Sequence, residues 1–166
     1  MATLINGVDV AKIKQTQEQA QKDPSSTERE PKIVARWLGG SKARIEFGNV
    51  SSEIGGDGNL NAMQTLLASL AACDIDLVAT HAALIGVTVE ELWIETTGHF
   101  NSRAYYGIEG ASGPGYNDIA YTIHLKAPKA TSKQIKYLKE RCERSSPVGD
   151  SLSKSIPLTL EVKVEQ

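Results

Sequence analysis

Cysteine is scarce in this chain: Cys73 and Cys142 are the two among 166 residues. Two thiols make no disulfide framework, and His81, His99 and His124 do not stand at the close spacing that a structural zinc site needs. The opening MATLINGVDVAKIKQ has no positive start followed by a long apolar run, so it carries no recognisable export signal. A reducing, cytoplasmic setting is therefore expected, and a permanent disulfide is not. Long apolar runs are missing too. A membrane-spanning helix needs about 18 such residues, and the most apolar segment is interrupted by Asp74, Asp76 and His81. Charge of one sign is also lacking. The net charge of −2, with both signs interspersed, leaves no basic footprint for nucleic acid and no polybasic patch for a membrane surface.

What remains is a globular composition, 40% apolar, at a length that suits one domain with or without an appendage. Residues 4–22 read as a mobile or docking helix with Asn6 or Asp9 as its cap and a thin stripe through Val8 and Ile13. The polar KDPSSTEREP, 22–31, reads as a linker. Residues 33–38 and 43–48 read as a strand pair turning through Gly39-Gly40-Ser41-Lys42, and 51–60 as a loop. From Asn61 to Ile85 apolar residues recur at three- and four-residue steps on most of the girth, which predicts a helix running through the core and ended by Gly86. Strands are predicted over 87–100 and 118–126, separated by the glycine-rich turn 107–115. A helix capped by Thr131 should end where Pro147 and Gly149 break it. The alternating LTLEVKVE, 158–165, predicts a half-buried strand. This order is α+β with antiparallel pairing.

The chemistry-bearing residues are few. Cys73 lies mid-helix, where burial as a small hydrophobe is the plain expectation, and Asp74 and Asp76 within one turn would disfavour its thiolate. Cys142 is flanked by Arg141 and Arg144, which would favour a thiolate if their side chains lie close; otherwise it is an incidental surface thiol. His81, about 12 Å along the helix from Cys73, is too far to serve as its base.

The segment NLNAMQTLLASLAACDIDLVATHAALIGV, 59–87, resembles the central helix of the OsmC/Ohr superfamily, named for osmotically inducible protein C and organic hydroperoxide resistance. Asn61, Leu66, Leu67, Ala68, Leu70, Ala71 and Cys73 match its pattern in register. RSSPVGDSL, 144–152, is similar to the family's Cys-Pro-Val segment, and GGSKAR, 39–44, to its first hairpin. The resemblance covers residues 33–166, with 1–31 as an N-terminal helical extension and linker and 32–166 as the family's domain. It implies antiparallel sheets wrapped around a long buried central helix in an intertwined homodimer, with sites at the subunit interface. It also implies thiol peroxidase chemistry without a cofactor or metal. A thiolate takes oxygen from an organic hydroperoxide, a second thiol condenses with the sulfenic acid, and an external thiol reductant resets the site. An arginine held by a glutamate assists the first step.

Of these positions the attacking cysteine falls on Cys73. The resolving cysteine falls on Ser146, the glutamate on Met63 and the arginine on Ser41. Arg44 is a possible substitute arginine, and Cys142, one helical turn before Ser146, a possible substitute resolving thiol. Two readings follow: a thiol-dependent hydroperoxide reductase with an altered site, or a non-catalytic dimer of the same fold that binds a small lipophilic molecule.

Overall fold

A computed structural model describes residues 4–164. The chain opens with a hairpin of β1 (Leu4–Ile5) and β2 (Val8–Asp9), followed by α1 (Val10–Lys22). The expected helix over 4–22 thus begins later, at Val10. Asn6 and Gly7 both take positive φ, 53° and 77°, the two-residue Asn-Gly turn that joins tight hairpins. Asp9, not Asn6, caps α1 by accepting the Lys12 N–H. Asn6 has another task. Its side-chain nitrogen donates to the Val87 carbonyl at 2.9 Å and its oxygen accepts the Val89 N–H at 2.9 Å. The hairpin is thereby fastened to the far end of the central helix.

After a short 3-10 turn at Pro24–Thr27, β3 (Val34–Gly39), β4 (Lys42–Phe47) and β5 (Val50–Ile54) form an antiparallel three-stranded sheet. The expected loop over 51–60 is in its first half this third strand. Ser51 and Ser52 carry no apolar alternation, and their state is set by pairing with Glu46 and Ile45. The sheet leaves Trp37, Phe47 and Val50 exposed.

The central helix, α2 (Ala62–Leu84), starts at a reciprocal capping box of Asn61 and Gln64, both bonds 2.9 Å. It stops at Gly86, φ 71°, where Val87 N–H reaches Ala82 carbonyl and Gly86 N–H reaches Ala83 carbonyl. α2 is long and apolar enough to cross a membrane by those criteria alone. It packs instead on β6 (Glu91–Phe100), α3 (Ser132–Ser145) and α4 (Pro147–Ser153). Its fully buried stripe is Leu70, Asp74, Val78 and Ala82, each one turn from the next. Leu66, one turn before Leu70 on the same face, and Ile75, on another, remain open. The expectation of burial on most of the girth thus holds for one face, because a single chain covers α2 from one side.

β6 pairs with β7 (Tyr116–Lys126), the half-buried Leu92, Ile94, Thr96 and Gly98 alternating with exposed residues. Gly98 has no room for a side chain: a Cβ there would lie 2.6 Å from the Tyr116 ring. Tyr116 in turn donates to the Met63 carbonyl at 2.9 Å, tying β7 to the first turn of α2. The core gathers Ala82, Val87 and Leu138 with Val89, Leu125 and Tyr137 around them.

Two expectations near the C-terminus are corrected. Gly149 does not end a helix but lies inside α4. Ser146, with ψ 109°, interrupts the path, and Pro147, whose missing N–H costs nothing at a first helical position, starts the next helix. The expected strand 158–165 forms no ladder over its described residues, and 165 lies outside them. Alternation specifies a strand only where an edge accepts its backbone groups, and none of the described strands reaches it. Leu158, Leu160, Val162 and Val164 are 95%, 88%, 74% and 77% exposed.

Candidate functional site

The break between α3 and α4 is built around Ser146. Its hydroxyl oxygen accepts the Gly149 N–H at 3.1 Å, and the residue is 3% exposed. Gly149 is required for this fit, since a Cβ there would stand 2.9 Å from Ser146 Oγ and 3.1 Å from its Cβ. On the facing side of α2, Cys73 is half-buried, and its Sγ lies 3.9 Å from Ser146 Oγ. The two positions to which the resemblance assigned the attacking and resolving thiols are therefore in contact.

Beside this pair a groove of about 580 Å³ runs between the first half of α2, β7 and α3–α4. Met63, Leu66, Leu70, Tyr121, Cys142 and Ser146 line it, with charged groups from Asp118, Glu143, Arg144 and Asp150. Ser146 thus touches both the groove and the Cys73 sulfur.

Cys142 is a core residue, 7% exposed, not a surface thiol. Burial, and then the Asp74 carboxylate, push its thiol up to about 11. The expected help from flanking cations is absent. Arg141 lies over the Tyr137 ring and donates to Ser145, while Arg144 faces the groove. Asp74 itself is completely buried, and neither carboxylate oxygen has a hydrogen-bond partner among the described residues. It also raises the Tyr121 hydroxyl, after burial as the larger cause. Asp76 is exposed. His81 pairs through Nδ1 with the Tyr137 hydroxyl at 3.0 Å, and burial, then Arg141, hold its pKa below the usual value.

The first hairpin lies apart from this cluster. Ser41 accepts the Gly56 N–H at 3.3 Å, and its carbonyl packs so close to Gly55 that a Cβ there would meet it at 2.0 Å. Arg44 pairs across the strands with Glu53, Nη2 to Oε1 3.5 Å, and Lys42 reaches the same carboxylate at 2.6 Å. Lys42 first, then Arg44, hold Glu53 below the ordinary carboxylate range. The sequence reading missed Glu53. The signal available was its position opposite Arg44 once β5 is recognised as a strand.

The sequence profile of the OsmC-like protein family matches residues 55–161. The chain belongs to the OsmC-like family. No curated protein matches it closely enough to report a relative. Among solved structures, an OsmC-like protein from Mycoplasma pneumoniae superposes with a TM-score of 0.64 at 17% identity, covering 76% of this chain and 89% of that one. A protein from Aquifex aeolicus gives 0.62 at 13% identity, with the same coverages of 76% and 89%. An organic hydroperoxide resistance protein OsmC from Legionella pneumophila gives 0.51 at 15%, covering 75% and 91%. At these identities the likeness is one of fold.

Proposed function

We propose that the protein is a cytoplasmic, thiol-dependent reductase of organic hydroperoxides acting in oxidative-stress defence, with Cys73 as the attacking thiol. The observation that carries this reading is the contact between Cys73 and Ser146, 3.9 Å from sulfur to oxygen. It supports the reading because the resemblance assigns the attacking and second thiols to these two positions. The Cys73 thiolate attacks the outer peroxide oxygen, the O–O bond breaks, and the alkoxide leaves as the alcohol after taking a proton. The sulfur is left as sulfenic acid. With serine at 146 and Cys142 buried, the reducing equivalents come from an external thiol.

The working unit in this reading is a homodimer of domains spanning 32–166, with residues 1–31 as an appendage. Its support is the bare apolar row of Leu158, Leu160, Val162 and Val164, the open face of α2, and the exposed Trp37 and Phe47. In this reading Arg44, held by Glu53, is the candidate arginine for the Cys73 thiolate in the assembled dimer. Adding cumene hydroperoxide to the protein with several candidate thiol reductants tests the activity. Peroxide consumption that stops in Cys73→Ser is expected, and consumption unchanged by that substitution would end the reading.

The groove favours one second reading. Its volume and its apolar lining by Met63, Leu66 and Leu70 suit a small lipophilic ligand held without catalysis. An inert Cys73 together with saturable binding of a fluorescent fatty-acid probe would select it.

A further inference from the structure

We propose that Ser146 is a hydrogen-bond donor to the Cys73 sulfur and that the pair works as a one-thiol site, its oxidised form discharged through a mixed disulfide with a small monothiol. This rests on the peroxide-reducing reading above and adds to it a residue and an intermediate. A serine hydroxyl has one proton and two acceptor lone pairs. The Ser146 oxygen is already used as the acceptor of Gly149 N–H at 3.1 Å. The residue is 3% exposed, so water does not readily take its proton. The one other polar atom it contacts among the described residues is Cys73 Sγ, at 3.9 Å. The hydroxyl is also held in place. Pro147 begins α4 directly behind it, and Gly149 leaves no space in front of it.

The consequence depends on the state of the sulfur. As a thiol, Cys73 can donate or accept in this contact. As a thiolate it can only accept, so the bond favours the ionised form. The same donor can serve the sulfenic acid oxygen or sulfur after the peroxide step. Cys142 lines the same groove but is 7% exposed, and burial keeps its thiol neutral, so it is a poor competitor. Discharge then runs through an incoming monothiol. Its sulfur attacks the Cys73 sulfur, water leaves, and a mixed disulfide forms. A second monothiol attacks the outer sulfur of that disulfide, releases Cys73 as thiolate, and departs as the small-molecule disulfide. Cys73 is half-buried rather than enclosed, which leaves such a thiol an approach.

The test reads Cys73 without peroxide first. Iodoacetamide labelling, followed by mass spectrometry at Cys73, should slow about threefold at neutral pH in Ser146→Ala, because the ionised form loses its donor while the thiolate that remains is somewhat more nucleophilic. It should return in Ser146→Thr, and the slowing should vanish at strongly alkaline pH, where the donor no longer decides the ionised fraction. Equal rates in the Ala variant and the unmodified protein at neutral pH would overturn the donor role. If Ser146→Ala does not fold, Ser146→Cys oxidised with diamide gives the second measurement. A 73–146 disulfide supports the geometry, whereas a 73–142 disulfide refutes it. Peroxide plus glutathione should then leave a glutathionylated Cys73 in the unmodified protein and an internal disulfide in Ser146→Cys. Labelling that responds to Ser146 in a protein inert to peroxide would keep the donor and remove the activity. Turnover with no glutathione adduct under rapid quenching would remove the one-thiol route.

Discussion

Arg44 and Glu53 face each other in register across β4 and β5, with Nη2 and Oε1 3.5 Å apart. An arginine held by a glutamate is the apparatus that the family resemblance places elsewhere, at Ser41 and Met63. Here both members come from one small sheet. The pair is half-exposed and screened, so it adds little to folding. Arg44→Ala should therefore shift the melting temperature by less than about 2 °C. Its peroxide reduction should fall at least tenfold, about 1.4 kcal/mol of transition-state stabilisation. A stopped-flow rate unchanged in Arg44→Ala would show that the pair has no part in the chemistry.

Cys142 makes the fold sensitive to alkali. Its thiol is raised to about 11 in the folded chain against an ordinary value of 9.0, by burial and then by Asp74. An acid whose folded pKa lies above its unfolded one is neutral in both states below the lower value. Between the two, only the unfolded chain ionises, so stability falls as pH climbs from about 9 to about 11, by an amount on the order of 2 kcal/mol. Urea melts across that window should show the decline, and Cys142→Ala should flatten it while lowering stability at neutral pH through the cavity left behind.

Asp74 is the other half of that relationship. Its oxygens are buried and make no hydrogen bond of ordinary geometry among the described residues, with the Tyr121 hydroxyl set against them, and a polar group left in this state costs about 1–3 kcal/mol. Asp74→Asn should keep the shape, remove the charge, and raise the melting temperature. It should also make the alkaline decline smaller and end it at lower pH, with its onset near 9 unchanged, because the folded Cys142 thiolate no longer meets a carboxylate. A lower melting temperature in Asp74→Asn would mean that the carboxylate has a favourable partner in the assembled protein.

Much of this architecture is legible in the residues. Asn61 and Gly86 bound α2, Thr131 begins α3, and Gly39 and Gly40 turn the first hairpin, because caps and turns are local chemistry. β5 is not legible, since Ser51 and Ser52 owe their extended state to β4. For residues 158–164 the alternation is readable and the pairing is not, because alternation says which side chains share a face and nothing about whose edge they meet. At the site, Cys73 could be singled out by position in a motif. Its contact with Ser146, the burial of Cys142 and the pairing of Glu53 all arise between segments distant in sequence, where spacing carries no information. The Asp74 carboxylate shows the same limit: it acts on Cys142 and Tyr121, which lie far from it in sequence.

The Asn6 anchor predicts a local effect. Asn6→Gly keeps the positive-φ turn and removes the side-chain bonds to Val87 and Val89. Limited proteolysis should then cut within residues 10–30 much faster, with the remainder of the chain intact. Asn6→Ala should do the same and add backbone strain from the φ of 53°. Equal cleavage in Asn6→Gly and the unmodified protein would show that α1 is held by other contacts.

That anchor also orders events during synthesis. Asn6 and Val89 are 83 residues apart. The hairpin therefore has no place to dock until all of α2, its Gly86 stop and Val89 have followed it out. Through that interval the hairpin lacks this tether, and the most apolar helix of the protein emerges before β6, β7 and α3 exist to cover it. Chaperone demand should peak at that stage of translation, and the closing of the Asn6 contact marks the moment at which the end of the central helix acquires its final surroundings.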